Sequence, residues 1–272
     1  MFECVLNLSE GQRLALLDEL SEAAGPSLRD RHADAEHNRS VFTLINEPDV
    51  LFHDVHALVT LAMHLLDLES HAGVHPRFGV VDVVPFVALD PSRSDEARAL
   101  RDETATWIAT TFTVPVFLYG PLEDGTARTL PEIRRGAFRT LVPDMGPEEP
   151  NILLGATAVG TRGVLVAWNI CLRDVTLAEA KAIAIEVRGP GVRSLAFEVG
   201  DIVQVSCNLI DPFNIGPSVV YDDVKRRLQR GVIERCELVG LVPEAVVRAQ
   251  DPARWEQLGL SLEATIEARL AR

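Results

Sequence analysis

The sequence is poor in the features that most often announce a function. Only two lysines, Lys181 and Lys225, occur among 272 residues, and the formal net charge is −14. That net charge argues against broad binding to nucleic acid or to an anionic membrane, since either would need a basic face. An anionic small molecule would need a locally positive pocket. The four cysteines, Cys4, Cys171, Cys207 and Cys236, are far apart and form no Cys-x-x-Cys pair. Buried reduced thiols are therefore expected rather than disulfides or a zinc site. No apolar run approaches the roughly 20 residues that span a bilayer. The start, Met1-Phe2-Glu3-Cys4, carries no basic leader, so the cytoplasm is the expected compartment. Gly-x-Ser-x-Gly, a Walker-type loop, a dinucleotide glycine fingerprint and His-Glu-x-x-His are all missing. With 47 % hydrophobic and 24 % charged residues, the chain reads as one large globular domain or two small ones.

Apolar periodicity supplies the element order. Residues 3–8 read as a strand, and 9–24 as a helix capped by Ser9, striped with Leu14, Leu16, Leu17 and Leu20 and stopped by Gly25-Pro26. The polar run 30–39 reads as a solvated loop. A β-branched strand over 40–46, a helix from 47 to about 70 and a buried strand over 80–89 follow. This β-α-β-α-β order completes a ferredoxin-like unit only if one more strand joins it. The strand at 114–119, after a helix over 94–110, is the candidate. Residues 120–155, with Pro143, Pro147 and Pro150, read as a rigid loop or a domain boundary. Gly155-Ala156-Thr157-Ala158-Val159-Gly160 reads as small residues where two subdomains meet.

The second half gives strands at 164–172, 194–199, 202–209 and 234–241, helices at 176–187 and 218–229, and a tail helix over 260–270. The expected fold is α+β, an α/β sandwich. It consists of two ferredoxin-like βαββαβ-type subdomains, 1–161 and 162–272, facing each other across a cleft.

All seven histidines, His32, His37, His53, His56, His64, His71 and His75, lie in the first 75 residues. Gly73 and Pro76 break any helix that would align His71 with His75, so no metal is expected. The loop His71-Ala72-Gly73-Val74-His75-Pro76-Arg77-Phe78-Gly79 is denser in chemistry than any other stretch. Pro76 stiffens the backbone before it, and Arg77 sets a permanent cation beside a side chain that titrates near neutrality. A helix stop followed by a solvated turn would use the same residues. From these residues alone, a proton-transfer enzyme, a metal-dependent hydrolase and a non-catalytic ligand-binding regulator all stand open.

Several separated segments match one family. They are Glu3-Cys4-Val5-Leu6-Asn7-Leu8-Ser9-Glu10-Gly11, His37-Asn38-Arg39-Ser40-Val41-Phe42-Thr43 and Gly73-Val74-His75-Pro76-Arg77-Phe78-Gly79 with Asp82, Pro85 and Phe86. Leu118-Tyr119-Gly120, Arg128-Thr129-Leu130-Pro131, Pro143-Asp144-Met145-Gly146-Pro147, the 155–160 glycine segment, Gln204-Val205-Ser206-Cys207-Asn208-Leu209 and Val239-Gly240-Leu241-Val242-Pro243 agree in order and rough spacing. In these segments the chain resembles the glutamate formiminotransferases, both the stand-alone form and the transferase half of formiminotransferase-cyclodeaminase.

The resemblance implies a homodimer that moves a formimino group from N-formimino-L-glutamate to N5 of tetrahydrofolate during histidine degradation. Tetrahydrofolate would be a co-substrate held between the subdomains, with no metal. The family's catalytic histidine falls on His75. Its folate-binding stretch falls on Gly146-Pro147-Glu148-Glu149-Pro150-Asn151-Ile152-Leu153-Leu154-Gly155. Asn7, Asn38, Arg77 and Gln204 become candidate substrate contacts by family position. The chain stops where a cyclodeaminase half would begin, so that second activity is expected to be absent. Two positions depart from the family pattern: Val74 stands where Glu is usual, and Phe78 where methionine is common. A related one-carbon donor is thus the alternative substrate, and folate or amino-acid binding without turnover the alternative function.

Overall fold

The computed structural model describes residues 1–69, 71–74 and 77–272. It divides into two compact units, Met1–Gly163 and Val164–Arg272, each with its own sheet and core. Together they give the α+β fold class.

Unit 1 begins β1 (Phe2–Leu8), α1 (Leu14–Ala23), β2 (Leu28–Asp34), β3 (Arg39–Asn46), α2 (Pro48–Leu65), β4 (Val81–Ala88). These strands lie in the order β2-β3-β1-β4, with β1 antiparallel to both neighbours. That is the ferredoxin-like arrangement, and the strand that completes it is β2, not the one expected at 114–119. β2 is built from the polar run read as a loop. At the edge of a sheet a strand needs only one hydrogen-bonded neighbour, and charged side chains there protect the open edge instead of disrupting a core. Its pairing runs from Leu28↔Leu44 to Asp34↔Arg39.

The chain continues through α3 (Ser94–Phe112), β5 (Val116–Pro121), β6 (Ala127–Arg128), α4 (Leu130–Gly136) and β7 (Thr157–Thr161). β7 pairs parallel with both β4 and β5, and the sheet grows to seven strands. Most of the 155–160 segment is therefore a central strand of unit 1. Its residues are small because Tyr119 lies across it: a Cβ on Gly160 would come within 2.3 Å of that ring. α4 sits inside the region read as irregular and starts with a Thr129/Glu132 capping box.

Helices α1, α2 and α3 cover one face of this sheet. Leu17, Leu20, Val55, Leu58, Leu100 and Ile108 pack on Phe2, Cys4, Leu6, Phe42, Leu44 and Phe86. On the other face a smaller cluster joins Val83, Phe117, Tyr119 and Ala158 to Ile133 of α4. α1 starts at Leu14, four residues later than the Ser9 cap implied; Arg13 stands at its N-cap with no side-chain cap, and the turn ahead of the helix is held by Glu10. Its Oε1 accepts from Gln12 N and Arg13 N, each at 2.8 Å.

Unit 2 is β8 (Val166–Arg173), α5 (Leu177–Glu186), β9 (Val192–Val199), β10 (Ile202–Leu209), α6 (Pro217–Arg227), β11 (Val232–Val239). The order β11-β8-β10-β9, antiparallel throughout, is again ferredoxin-like. Thr176 and Glu179 form the capping box of α5, and Trp168 anchors the core with its indole N–H on Leu258 O at 2.8 Å. Two short helices close the unit, α7 (Glu244–Arg248) and α8 (Ile266–Leu270). The expected tail helix over 260–270 is only α8, since Thr265 turns extended and caps a new start.

Candidate active site

The His-Pro-Arg loop leaves α2 and enters β4, and the described residues on its two sides are held by two separate parts of unit 1. His75 and Pro76 themselves lie outside the described residues. On one side is the hairpin turn between β2 and β3. Asn38 takes a left-handed backbone there, with φ +46°. Its Oδ1 accepts from Gly11 N and its Nδ2 donates to Ala72 O, both at 2.9 Å. Gly73 has no side chain because His37 O lies against it, 2.3 Å from where a Cβ would stand.

On the other side is the end of the 146–155 segment. Asn151 Oδ1 accepts from Leu153 N and Leu154 N at 3.0 Å, and Asn151 and Gly155 exchange backbone hydrogen bonds of 3.0 and 2.8 Å. The resulting tight turn lies on the loop exit, with Val80 N donating to Leu154 O and Ala156 N to Phe78 O, both at 3.0 Å. Gly79 and Gly155 make the crossing feasible. A Cβ on Gly79 would meet Ala156 O at 2.2 Å, and Gly155 has φ +73° with Phe78 O 2.5 Å from its missing Cβ. Ser9 adds a hydroxyl bond to Gly79 O at 2.8 Å.

Beneath the loop exit is a buried charge cluster. Asp82 is fully buried on β4 among valines. Its Oδ2 accepts from Arg39 Nη1 and Arg134 Nη2, both at 2.6 Å, and its Oδ1 from Phe78 N at 2.7 Å. Burial would push this carboxyl up, but the two guanidiniums and their hydrogen bonds bring it down to about 2. Arg39 Nη2 also donates to Asn7 Oδ1 at 2.8 Å. The triad of Asp82, Arg39 and Arg134 carries formal charges of −1, +1 and +1 and reaches the backbone of the loop directly.

The expected contacts are thus spread unevenly. Asn7 and Asn38 both engage protein partners, Asn7 in the charge cluster and Asn38 in holding the loop. Arg77 is exposed and donates to His71 O at 3.0 Å. Within the 146–155 segment Gly146, Glu148, Glu149, Pro150, Ile152 and Leu153 are exposed, while Pro147, Asn151 and Leu154 are half-buried and Gly155 is buried. Gln204 belongs to unit 2, buried on β10 opposite Cys171 and Phe197. The sequence reading assigned Asp82 and Arg39 no role and passed over Arg134. A lone carboxylate in a valine-rich strand, Val80-Val81-Asp82-Val83-Val84, was the signal that a cationic partner had to exist. No group of three or more His, Cys, Asp or Glu positioned to share a cation occurs among the described residues.

A model of the formiminotransferase domain, N-terminal subdomain, matches residues 1–162. The chain belongs to the formiminotransferase family. It is 33 % identical over 267 residues to the glutamate formimidoyltransferase of Streptococcus pyogenes serotype M1, covering 89 % of this chain and 88 % of that protein. It is 30 % identical to the glutamate formimidoyltransferase of Thermoplasma acidophilum, with 90 % and 88 % covered. Against the formimidoyltransferase-cyclodeaminase of Rattus norvegicus identity is 32 %, over 89 % of this chain but 50 % of the relative. The chain thus spans about half the length of that relative. The cluster around Asp82 holds the exit of the His-Pro-Arg loop through the bond from Phe78 N. No helix among the described residues is long and apolar enough to cross a membrane.

Proposed function

We propose that this chain is a folate-dependent transferase. It would move a formimino group from N-formimino-L-glutamate to N5 of tetrahydrofolate as a step of histidine degradation. The observation that carries this reading is the near full-length likeness to two proteins named glutamate formimidoyltransferase. Tetrahydrofolate is a co-substrate in this scheme, bound along the 146–155 segment, with Gln204 a further candidate contact, and the protein works as a homodimer in the cytoplasm.

The chemistry is amine exchange at an sp² carbon. N5 attacks the formimino carbon and the new C–N bond makes that carbon tetrahedral. One proton leaves N5, another reaches the glutamate nitrogen, and the bond to glutamate breaks as that amine departs. His75 serves both transfers in turn, as an imidazole titrating near neutrality can. Arg77 and the surplus positive charge of the Asp82 triad offer attraction for an anionic donor on a chain whose net charge is −14. Val74, at the position where Glu is usual, is 48 % exposed, which favours a related donor as the second reading.

A turnover assay with tetrahydrofolate and N-formimino-L-glutamate tests the proposal, measuring glutamate release. Release that requires both substrates supports it. Tetrahydrofolate binding without release points to a binding protein, and activity that appears only with added divalent metal points to a hydrolase.

A further inference from the structure

His71 is the second imidazole of the loop, and its geometry gives it a separate task. The carbonyl of Asn38, at the hairpin turn before β3, accepts a hydrogen bond from His71 Nε2 at 2.8 Å. A carbonyl only accepts, so Nε2 bears the hydrogen and, in the neutral ring, Nδ1 is left as an acceptor. Nδ1 is buried and has no hydrogen-bond partner among the described residues. An unpaired buried acceptor costs about 1–3 kcal/mol, so fold stability alone gives no reason for an imidazole here.

Other contacts converge on the same turn. Asn38 Nδ2 holds Ala72 O, Val74 N donates to Glu36 O at 3.3 Å, and Gly73 lies against His37 O. Arg77, from the far side of the loop, donates back to His71 O. His71 is the point where the hairpin turn, the loop entry and the loop exit are joined.

We propose that His71 is a positioning residue of the transfer reaction: its Nε2–H bond to Asn38 fixes the loop that carries His75 in its working geometry. The proposal rests on the reading of His75 as the proton-transfer group. A group misplaced by about 1 Å can lose about a hundredfold in rate, whereas a group that only orients another leaves substrate affinity alone.

The test compares His71→Leu, which removes the donor, with His71→Gln, whose amide N–H can occupy the place of Nε2. We expect His71→Leu to lower kcat by about tenfold or more with each KM within about twofold of the parent, and His71→Gln to restore kcat to within about threefold. Hydrogen exchange of the peptide spanning 71–77, followed by mass spectrometry, should speed up in His71→Leu and return in His71→Gln. An unchanged kcat in His71→Leu overturns the proposal, as does a rise in KM at constant kcat, which would make His71 a substrate contact. So does a His71→Gln variant with parental exchange but the low kcat of His71→Leu. If the parent protein transfers no formimino group, the reaction assigned above fails. The exchange comparison then still decides the clamp, since equal exchange in parent and His71→Leu removes it.

Discussion

The two units share one plan and bury different things. Unit 1 adds β7, β5 and β6 to its ferredoxin-like strands, and under the added part it closes an ion cluster in which Asp82 is 0 % exposed. Unit 2 keeps the four-stranded plan and holds its ion pairs at the surface. Arg254 grips Asp222 with two bonds of 2.7 and 2.9 Å, yet the Asp222 side chain is 54 % exposed. Every histidine lies in unit 1 and none in unit 2. A common fold thus carries a buried ion cluster in one copy, and buried thiols with solvated ion pairs in the other. The appended segment takes a direct part in the difference, because Arg134 of α4, between β6 and β7, is one of the two guanidiniums on Asp82.

The largest effect expected is on turnover. His75→Ala should cut kcat by at least about a hundredfold while the melting curve is unchanged, as loss of a general acid–base does. Gln204→Leu in unit 2 should instead raise the KM for tetrahydrofolate. A steady-state comparison that finds the kcat loss in Gln204→Leu, and little in His75→Ala, would overturn both assignments.

Next in size is stability. Asp82→Asn leaves two guanidiniums without their carboxylate and should cost about 3–5 kcal/mol, whereas Asp222→Asn should cost no more than about 1 kcal/mol. Urea unfolding of both variants measures the gap, and equal costs would mean that burial makes no difference to these pairs. Acid should act in the same place. The folded pKa of Asp82, about 2, lies below the unfolded value near 3.9. Its contribution is therefore complete above about pH 3.9 and is lost as pH falls toward 2.

How much of this could be read from the sequence depends on where each element's partners lie. In unit 2 the alternation along 202–209 and the Thr176-x-x-Glu179 cap are local signals, and the structure follows them closely. In unit 1, β2 is polar because it is an edge, and a hydropathy pattern cannot tell an edge strand from a loop. β7 is five residues of Thr-Ala-Val-Gly-Thr, too small and short to register as a central strand. The site divides in the same way. The His-Pro-Arg loop is marked by adjacent residues, but the partners of Asp82 stand 43 and 52 positions away in the chain. Nothing near Arg134 announces that it turns inward.

A smaller effect concerns pH at the histidines. His56 stacks on Trp107, 3.7 Å between ring centroids, and contacts Phe52 at 3.9 Å. Burial, and then the charge of His53, lower its pKa to about 4. The unfolded imidazole, near 6.5, takes its proton first as pH falls. Stability should therefore decline from about pH 6.5 to about pH 4 and level off below. His56→Phe should flatten that decline, read as the difference in melting temperature between pH 7 and pH 5. A decline that persists in full in the variant would assign it to another group.

The smallest expected effect is at Val74. Its side chain is 48 % exposed and its amide is tied to Glu36 O, so Val74→Glu would set a carboxylate in water beside the histidine loop. At about 4 Å in water a unit charge is worth about 1 kcal/mol, which corresponds to at most about 0.7 of a pKa unit. A negative neighbour favours the imidazolium, so the acidic limb of the rate profile should move to higher pH by no more than that amount. The alternative is that a carboxylate at position 74 touches the donor. The KM for one donor would then change several-fold while the limb stays put. Rate against pH at saturating and at limiting donor separates the two outcomes. A shift well beyond about one unit would contradict the exposure of Val74, because only a desolvated carboxylate could produce it. It would also mean that the loop closes over position 74 when substrate binds, extending to the working enzyme the burial of charge that distinguishes unit 1 from unit 2.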